Sequence, residues 1–200
     1  MQRQFRCEII SWPRMYRLTR RLALKIKQAG FRPDLMVAVA RGGYVPARIL
    51  CDFLKITNLT DMRVEHYGAG AQRKKYATLT VPVTIDMQGK KVLLVDDITD
   101  TGDTLEIAEN HIKGLGAETV RTAILIHKKQ SPVVPDFYAK KIIKNRWVIY
   151  PWAVNEDLSG FMAQMDKPPT TPEAAARRIR QEYGITVPLK ILQMIFTLRD

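Results

Sequence analysis

Apolar side chains recur at intervals of three and four residues near the start of the chain, which is the spacing of one helix face. Met15, Leu18, Leu22 and Ile26 follow this pattern, and Gly30 stands where a helix commonly ends. Short apolar runs then follow, each too short for an amphipathic helix, and they predict buried strands. These runs cover residues 35–40, 92–95 and 120–126, with 147–152 as a fourth candidate.

Helical and irregular segments separate these strands. Residues 45–54 and 104–115 predict helices, and residues 62–86 predict irregular strands around a glycine-rich, basic stretch. Strands that alternate with helices usually form a parallel sheet. The sequence therefore predicts an α/β fold with a mostly parallel sheet flanked by helices.

A proline-rich segment over residues 166–172 predicts a boundary late in the chain. It separates an α/β domain over residues 1–165 from a linker and short helical C-terminal extension over 166–200. The extension is predicted as a small helical appendage because two helical patterns lie within it.

The two helices of the extension have recognisable ends. Thr170 and Glu173 have the spacing of a capping box before a helix over residues 174–183, and Gly184 would close that helix. A second, more apolar helix is predicted over residues 189–198.

The charge of the chain is its most unusual compositional feature. Its 200 residues include 32 lysines and arginines against 20 aspartates and glutamates, so the formal net charge is +12. This surplus favours an anionic partner, which composition alone leaves open between nucleic acid, an acidic membrane and a phosphorylated small molecule.

The cysteines and histidines of the chain indicate its cellular compartment and its need for zinc. Cys7 and Cys51 give no disulfide framework, and His66, His111 and His127 lack zinc-ligand spacing. We expect a reduced, cytoplasmic protein without structural zinc. The apolar runs fall far short of the ~20 residues of a membrane helix, and no apolar segment follows the first charges, so neither a membrane partner nor a signal peptide is expected.

Three acids follow directly after the apolar run 92–95. Asp96, Asp97 and Asp100 precede a Thr-Gly-Asp-Thr turn over residues 101–104 at a helix start. Open α/β sheets bind ligands where their strands end, where paired carboxylates accept hydrogen bonds from sugar hydroxyls and helix-start amides bind phosphate. The motif predicts a ribose-5-phosphate site. The alternative is an ordinary strand–turn–helix with a capping aspartate.

The segment 92–104 resembles the phosphoribosyl-diphosphate (PRPP) signature of type I phosphoribosyltransferases. The resemblance extends over roughly residues 10–157. Arg41-Gly42-Gly43, after the first buried strand, is similar to the diphosphate loop of this family, which often contains a cis peptide bond that is not before proline.

A mobile loop that closes over the reaction centre is also typical of the family. Residues 66–78 occupy its place, and Arg73, Lys74 and Lys75 are its candidates for contact with the diphosphate. An exposed hairpin tip is the alternative for this stretch.

The end of the domain resembles the base site of the 6-oxopurine phosphoribosyltransferases, which act on guanine, hypoxanthine or xanthine. There a lysine binds the exocyclic oxygen, an aromatic ring stacks on the purine and the next residue offers backbone groups. Lys128, Trp147 and Val148 match these positions, with Lys129 as the alternative lysine. A second interpretation places Trp147 in the core.

The resemblance implies transfer of ribose-5-phosphate from PRPP to N9 of a purine, with release of diphosphate. Asp100 would assist proton movement on the base, and Asp96 and Asp97 would hold the ribose hydroxyls. The full set of implied PRPP-binding residues is Arg41, Gly42, Gly43, Asp96, Asp97, Thr99, Asp100, Thr101, Gly102, Asp103 and Thr104.

The family uses Mg²⁺, which Asp96 and Asp97 would hold mainly through PRPP. Family members usually carry an acid soon after the aromatic strand, but residues 153–155 are apolar or neutral here, so Glu156 is a further candidate metal ligand. Asp103 departs from the small or basic residue common at its position, and we expect its side chain to face solvent.

The resemblance further implies a homodimer or homotetramer. One rival interpretation is a PRPP-sensing regulator that binds nucleic acid, favoured by the charge and the two C-terminal helices. The apolar helix over 189–198 argues against it, so nucleic acid is not an expected partner. A second rival is a phosphoribosyltransferase for a pyrimidine.

Overall fold

The computed structural model describes residues 5–68, 72–143 and 145–198, without the side chains of residues 67–74. Arg73 and Lys74 of the predicted mobile loop therefore lie outside the described side chains. The described elements are β1 (Arg6–Ile9), α1 (Trp12–Gln28), β2 (Leu35–Ala40), α2 (Tyr44–Leu54), β3 (Leu59–Gly68), β4 (Gln72–Val81), β5 (Lys91–Thr99), α3 (Asp103–Gly114), β6 (Thr119–Lys128), β7 (Phe137–Ile142), β8 (Arg146–Ile149), α4 (Val154–Ala163), α5 (Pro172–Tyr183) and α6 (Leu189–Thr197).

The chain divides into two compact units. The larger unit comprises Tyr16–His66 and Lys74–Lys144, and it carries a six-stranded sheet in the order β4-β3-β2-β5-β6-β7. Strand β2 pairs in parallel with β3 and β5, and β6 pairs in parallel with β5 and β7. The predicted α/β class and mostly parallel sheet are confirmed.

The core of the larger unit explains why its central strands read as continuous apolar runs. All six residues of β2 are buried. Val37, Leu94 and Ile124 pack with Leu105 and Ile112 of α3 in one core cluster. A parallel strand covered on both faces has no solvent side, so alternation with polar residues disappears.

The register of β5 and β6 fixes where the polar residues gather. Asp96 lies opposite Ile124, and Thr99 lies opposite His127. Because the strands are parallel, their carboxyl ends meet at the same edge of the sheet. The acids at the end of β5 and the lysines at the end of β6 therefore lie in one region.

The smaller unit comprises Met1–Met15, Tyr67–Arg73 and Asn145–Asp200. Its strands β1 and β8 form a separate two-stranded parallel sheet, with Cys7 opposite Trp147 and Ile9 opposite Ile149. The strand predicted over residues 147–152 thus exists as β8, outside the main sheet.

The extension packs into the core of this smaller unit. Ile179 and Tyr183 of α5 and Leu192 and Ile195 of α6 are buried in one cluster with Phe161 of α4. The apolar face of α6 is therefore covered within the unit, as its composition predicts.

The cap of α5 corrects the predicted capping box. Thr171, rather than Thr170, is the N-cap, and its hydroxyl oxygen accepts a hydrogen bond from the Ala174 amide at 3.2 Å. Gly184 closes the helix in the left-handed region, at φ 71°, as expected.

Within residues 5–68, 72–143 and 145–198, no helix is both long enough and apolar enough to cross a bilayer.

Candidate active site

The strand β5 ends in a pair of adjacent carboxyl groups. Asp96 is 8% exposed, and the Asp97 amide donates a hydrogen bond to Asp96 Oδ1 at 2.8 Å. Burial raises the pKa of Asp96 well above its usual range, and the negative charge of Asp97 adds to this. Because Asp96 disfavours its charged form beside Asp97, the pair is suited to partners that relieve the repulsion between the two carboxylates, such as hydroxyl donors or a cation.

The loop after β2 approaches this pair through glycines. A Cβ on Gly42 would lie 2.6 Å from the carboxyl atoms of Asp97. A Cβ on Gly43 would lie 2.4 Å from the Val95 carbonyl oxygen and 2.7 Å from that of Val39. At Gly43 the backbone of Val95 and Val39 leaves no room for a side chain, and at Gly42 a side chain would require the Asp97 carboxyl to move, so the two glycines let the loop backbone lie against the end of β5.

The same loop carries two further features implied by the family resemblance. The Ala40–Arg41 peptide bond is cis. The Gly43 amide donates to the Val39 carbonyl at 2.8 Å, and Arg41 is exposed at the loop surface. The guanidinium of Arg41 is thus presented at the edge of the sheet, while the Gly43 amide is bound to the end of β2.

The loop between β5 and α3 brings a helix start to this edge. Helix α3 begins at Asp103, directly after Gly102, whose φ of 93° lies in the left-handed region. A Cβ on Gly102 would lie 2.5 Å from Val133 Cγ2, so both conformation and space require glycine. Thr101 and Thr104 are half-buried on either side of this turn.

The side chain of Asp103 is 44% exposed, and its Oδ2 lies 3.5 Å from Nε2 of the buried His66. The acid at this unusual position is therefore open to solvent and also approaches a histidine of β3.

Thr99 and His127 form a buried pair that the sequence did not reveal. Thr99 Oγ1 lies 2.9 Å from His127 Nδ1, and both residues are buried. Burial lowers the pKa of His127, and the charge of Lys141 contributes, so the imidazole is neutral near pH 7.

The two neighbouring lysines at the end of β6 have different surroundings. Lys128 is 3% exposed, and its Nζ lies 2.8 Å from Asp100 Oδ2. Lys129 is exposed, and its amide donates to the Ile142 carbonyl. The structure therefore brings Lys128, and not Lys129, together with the acids.

Gln130 is a site residue that sequence reasoning missed. Its Nε2 donates to Asp100 Oδ1 at 2.5 Å, so both oxygens of Asp100 accept hydrogen bonds from the end of β6. The only available signal was its position two residues after Lys128, which does not distinguish it from a surface glutamine.

Trp147 belongs to the smaller unit and is half-buried. Its ring lies 6.4 Å from the ring of Phe5 and packs against the core cluster of that unit. Burial and, less strongly, the charge of Glu156 raise the pKa of Asp157 to about 6, and the Trp147 side chain offsets part of this rise. Val148, the next residue, is 7% exposed.

The donor set for a metal ion is small. Within the described ranges, no group of three or more histidine, cysteine, aspartate or glutamate side chains could hold a metal. Glu156 lies in the first turn of α4 in the smaller unit. Asp96 and Asp97 offer the carboxylate oxygens that magnesium prefers, so they fit this ion only where a substrate completes its shell.

Comparison with known proteins identifies the family of the chain. The chain is 30% identical over 153 residues to the xanthine-guanine phosphoribosyltransferase of Ruegeria sp., covering 72% of this chain and 83% of the relative. It is 27% identical over 190 residues to the hypoxanthine-guanine phosphoribosyltransferase of Saccharomyces cerevisiae, covering 72% of this chain and 85% of the relative.

A solved structure gives the same result. The purine phosphoribosyltransferase of Pyrococcus horikoshii is similar with a TM-score of 0.63 and 34% identity, covering 73% of this chain and 93% of that chain. The family model described as phosphoribosyl transferase domain matches residues 7–157. Three-quarters of the chain fits this model, and the chain belongs to the phosphoribosyltransferase family.

Proposed function

We propose that the protein transfers ribose-5-phosphate from PRPP to N9 of a 6-oxopurine, giving the nucleoside 5′-monophosphate and diphosphate. The observation that carries this proposal is the buried ammonium of Lys128, beside Asp100 at the end of β6. A lysine has only donors, so it suits the carbonyl oxygen of guanine, hypoxanthine or xanthine and not the amino group of adenine.

The PRPP half of the reaction is assigned to the loops after β2 and β5. We propose that Asp96 and Asp97 accept hydrogen bonds from the ribose hydroxyls, and that the residues 101–104 hold the 5-phosphate at the start of α3. Arg41, Gly42 and Gly43 would bind the diphosphate. The close approach of Gly42 to Asp97 supports this division, since it places the two loops side by side.

The acceptor half is assigned to Lys128, Asp100, Trp147 and Val148. Asp100 would accept the proton that the purine loses, while Lys128 turns from Asp100 to the exocyclic oxygen. The half-buried ring of Trp147 would stack on the base, and the Val148 backbone would meet its edge.

Magnesium would supply positive charge that stabilises the departing diphosphate. Asp96 and Asp97 would hold it mainly through the bound PRPP, and Glu156 is a further candidate ligand. The negative charge of the Asp96–Asp97 pair would in turn favour positive charge that develops on the ribose ring.

A panel of bases tests the assignment. The purified protein is given PRPP and Mg²⁺ with hypoxanthine, guanine, xanthine, adenine, uracil or orotate, and nucleotide formation is followed by absorbance. We expect at least one 6-oxopurine to react at least about 100-fold faster than adenine or either pyrimidine. Preferred turnover of adenine or a pyrimidine would overturn the assignment.

The Lys128→Ala variant is the matched arm of this panel. It should lose the preference by weakening the 6-oxopurine while leaving the KM for PRPP nearly unchanged. Lys129→Ala is the control, because Lys129 is exposed on the adjacent position.

We further propose that the protein acts in the cytoplasm as a homodimer or homotetramer. The two cysteines, Cys7 and Cys51, are buried free thiols, which supports a reducing compartment.

A further inference from the structure

Asp100 is held from one side by two donors of different kinds. Lys128 Nζ lies 2.8 Å from Asp100 Oδ2, and Gln130 Nε2 lies 2.5 Å from Asp100 Oδ1. The side chains of Lys128 and Asp100 are 4% and 18% exposed. Asp100 is half-buried and Gln130 is exposed, so the carboxylate is partly desolvated and gains from both donors.

The two donors would behave differently when the base binds. In the proposed reaction Lys128 leaves Asp100 to bind the exocyclic oxygen of the purine. Asp100 would then lose a charged partner at the moment when it must accept a proton. Gln130 is neutral and has no competing role in that step, so it can keep its hydrogen bond.

The turn that carries Gln130 is fixed against the loop that carries Asp100. The Ser131 amide donates to the Lys128 carbonyl at 3.0 Å, and the Ser131 hydroxyl donates to the Val133 carbonyl at 3.0 Å. Val133 in turn occupies the space that a Cβ on Gly102 would need. Gln130 therefore reaches Asp100 from a backbone packed on the same loop.

We propose that Gln130 is a positioning residue that holds the Asp100 carboxylate in place while Lys128 turns to the base. This inference rests on the proposed function of Asp100 as the proton acceptor. Gln130 acts through Asp100 and does not itself react.

Removal of the Gln130 amide tests the proposal by kinetics. In Gln130→Ala, we expect kcat with a 6-oxopurine to fall about tenfold while the KM for PRPP changes less than about twofold. Gln130→Asn, one methylene shorter, should behave like the alanine variant, and Gln130→Glu should be slower still, because a second carboxylate would face Asp100.

The split between kcat and KM separates positioning from a merely structural role. Loss of the amide that orients Asp100 should lower kcat with a 6-oxopurine and leave the KM for PRPP nearly unchanged, whereas a general disturbance of the loop should change both. Val134→Ala is the control on the same turn, since Val134 is 65% exposed, and it should leave both kcat and the KM for PRPP unchanged.

A measurement without substrate makes the outcome independent of activity. The carboxyl carbon signal of Asp100, identified by its loss in Asp100→Asn, is compared by ¹³C NMR at one pH in the wild type, in Gln130→Ala and in Val134→Ala. A changed chemical shift in Gln130→Ala alone supports the proposal. An unchanged signal in Gln130→Ala, or a fall in kcat with the KM for PRPP changed as much, overturns it.

The same NMR measurement separates this inference from the function on which it rests. A wild-type protein that fails with every 6-oxopurine in the panel would overturn the proposed function. The carboxyl carbon signal would still decide whether Gln130 holds Asp100.

Discussion

The two units of the molecule each hold an acid with a shifted pKa, and the two shifts have opposite signs. In the larger unit, the side chain of Asp136 is 25% exposed; partial burial alone would raise its pKa, but hydrogen bonds from Arg121 and Thr122 outweigh it and hold the pKa below its usual range. In the smaller unit, burial raises the pKa of Asp157 to about 6, and the Trp147 side chain offsets only part of that rise. An acid thus keeps its charge where its hydrogen-bond donors outweigh the loss of solvation, and favours its neutral form where burial dominates.

The apolar interiors of the two units also differ. The larger unit buries whole strands of small and branched residues around α3. The smaller unit relies on a few large rings: Phe161 and Tyr183 stack with centroids 4.5 Å apart, and Phe5 meets both at 5.5 Å. The two interiors therefore differ in the side chains that fill them, with mostly aliphatic residues in the larger unit and packed aromatic rings in the smaller one.

The strongest way to break this contrast is to remove one ring. Phe161 is completely buried, and Phe161→Ala should lower the free energy of unfolding by about 3–5 kcal/mol. Amide hydrogen exchange measures where the loss falls, and we expect α4, α5 and α6 to lose more protection than β2 and β5. Equal loss in both units would show that the aromatic cluster supports the whole chain.

The pH dependence of stability sharpens the comparison of the two acids. The folded-state pKa of Asp157 is raised, so the protein should lose stability as pH rises from about 4 to about 6, by about 2–3 kcal/mol in all. Urea unfolding across this range measures the slope. Asp157→Asn should remove this contribution, and a variant with the wild-type slope would contradict the assignment.

Asp136 should show the opposite sign. Its folded-state pKa is lowered, so its contribution is present above the usual aspartate pKa of about 3.9 and is lost as pH falls through the folded-state value. Asp136→Asn should therefore be less stable than the wild type near pH 7, and the two should converge in acid.

The smallest change tests the sheet edge of the larger unit. Gly43→Ala puts a methyl group 2.4 Å from the Val95 carbonyl oxygen, and the strain should lower stability by about 1–3 kcal/mol. The displaced loop should also raise the KM for PRPP. Gly114→Ala is the matched control: open space surrounds Gly114, and the change should be neutral or stabilise by up to about 1 kcal/mol. Equal effects of both substitutions on KM would argue against the close approach.

Much of the larger unit could be predicted because its signals are local. The apolar runs of β2, β5 and β6 and the glycine after α1 depend on neighbours a few residues away. Helix α4 (Val154–Ala163) is not among the helices predicted from the sequence. Strand β1 has only four residues and pairs with β8, about 140 positions later in the chain. No local pattern could therefore predict this strand.

The candidate site divides along the same line. Asp96, Asp97, Asp100 and the residues 101–104 lie on one continuous segment, so the sequence by itself determined that a pair of acids would stand beside a helix start. Tertiary structure alone decided that Lys128 rather than Lys129 meets Asp100, that Gln130 joins it, and that Thr99 pairs with His127. These contacts join residues about 30 positions apart, and they depend on the register of β5 against β6, which backbone hydrogen bonds and core packing set together.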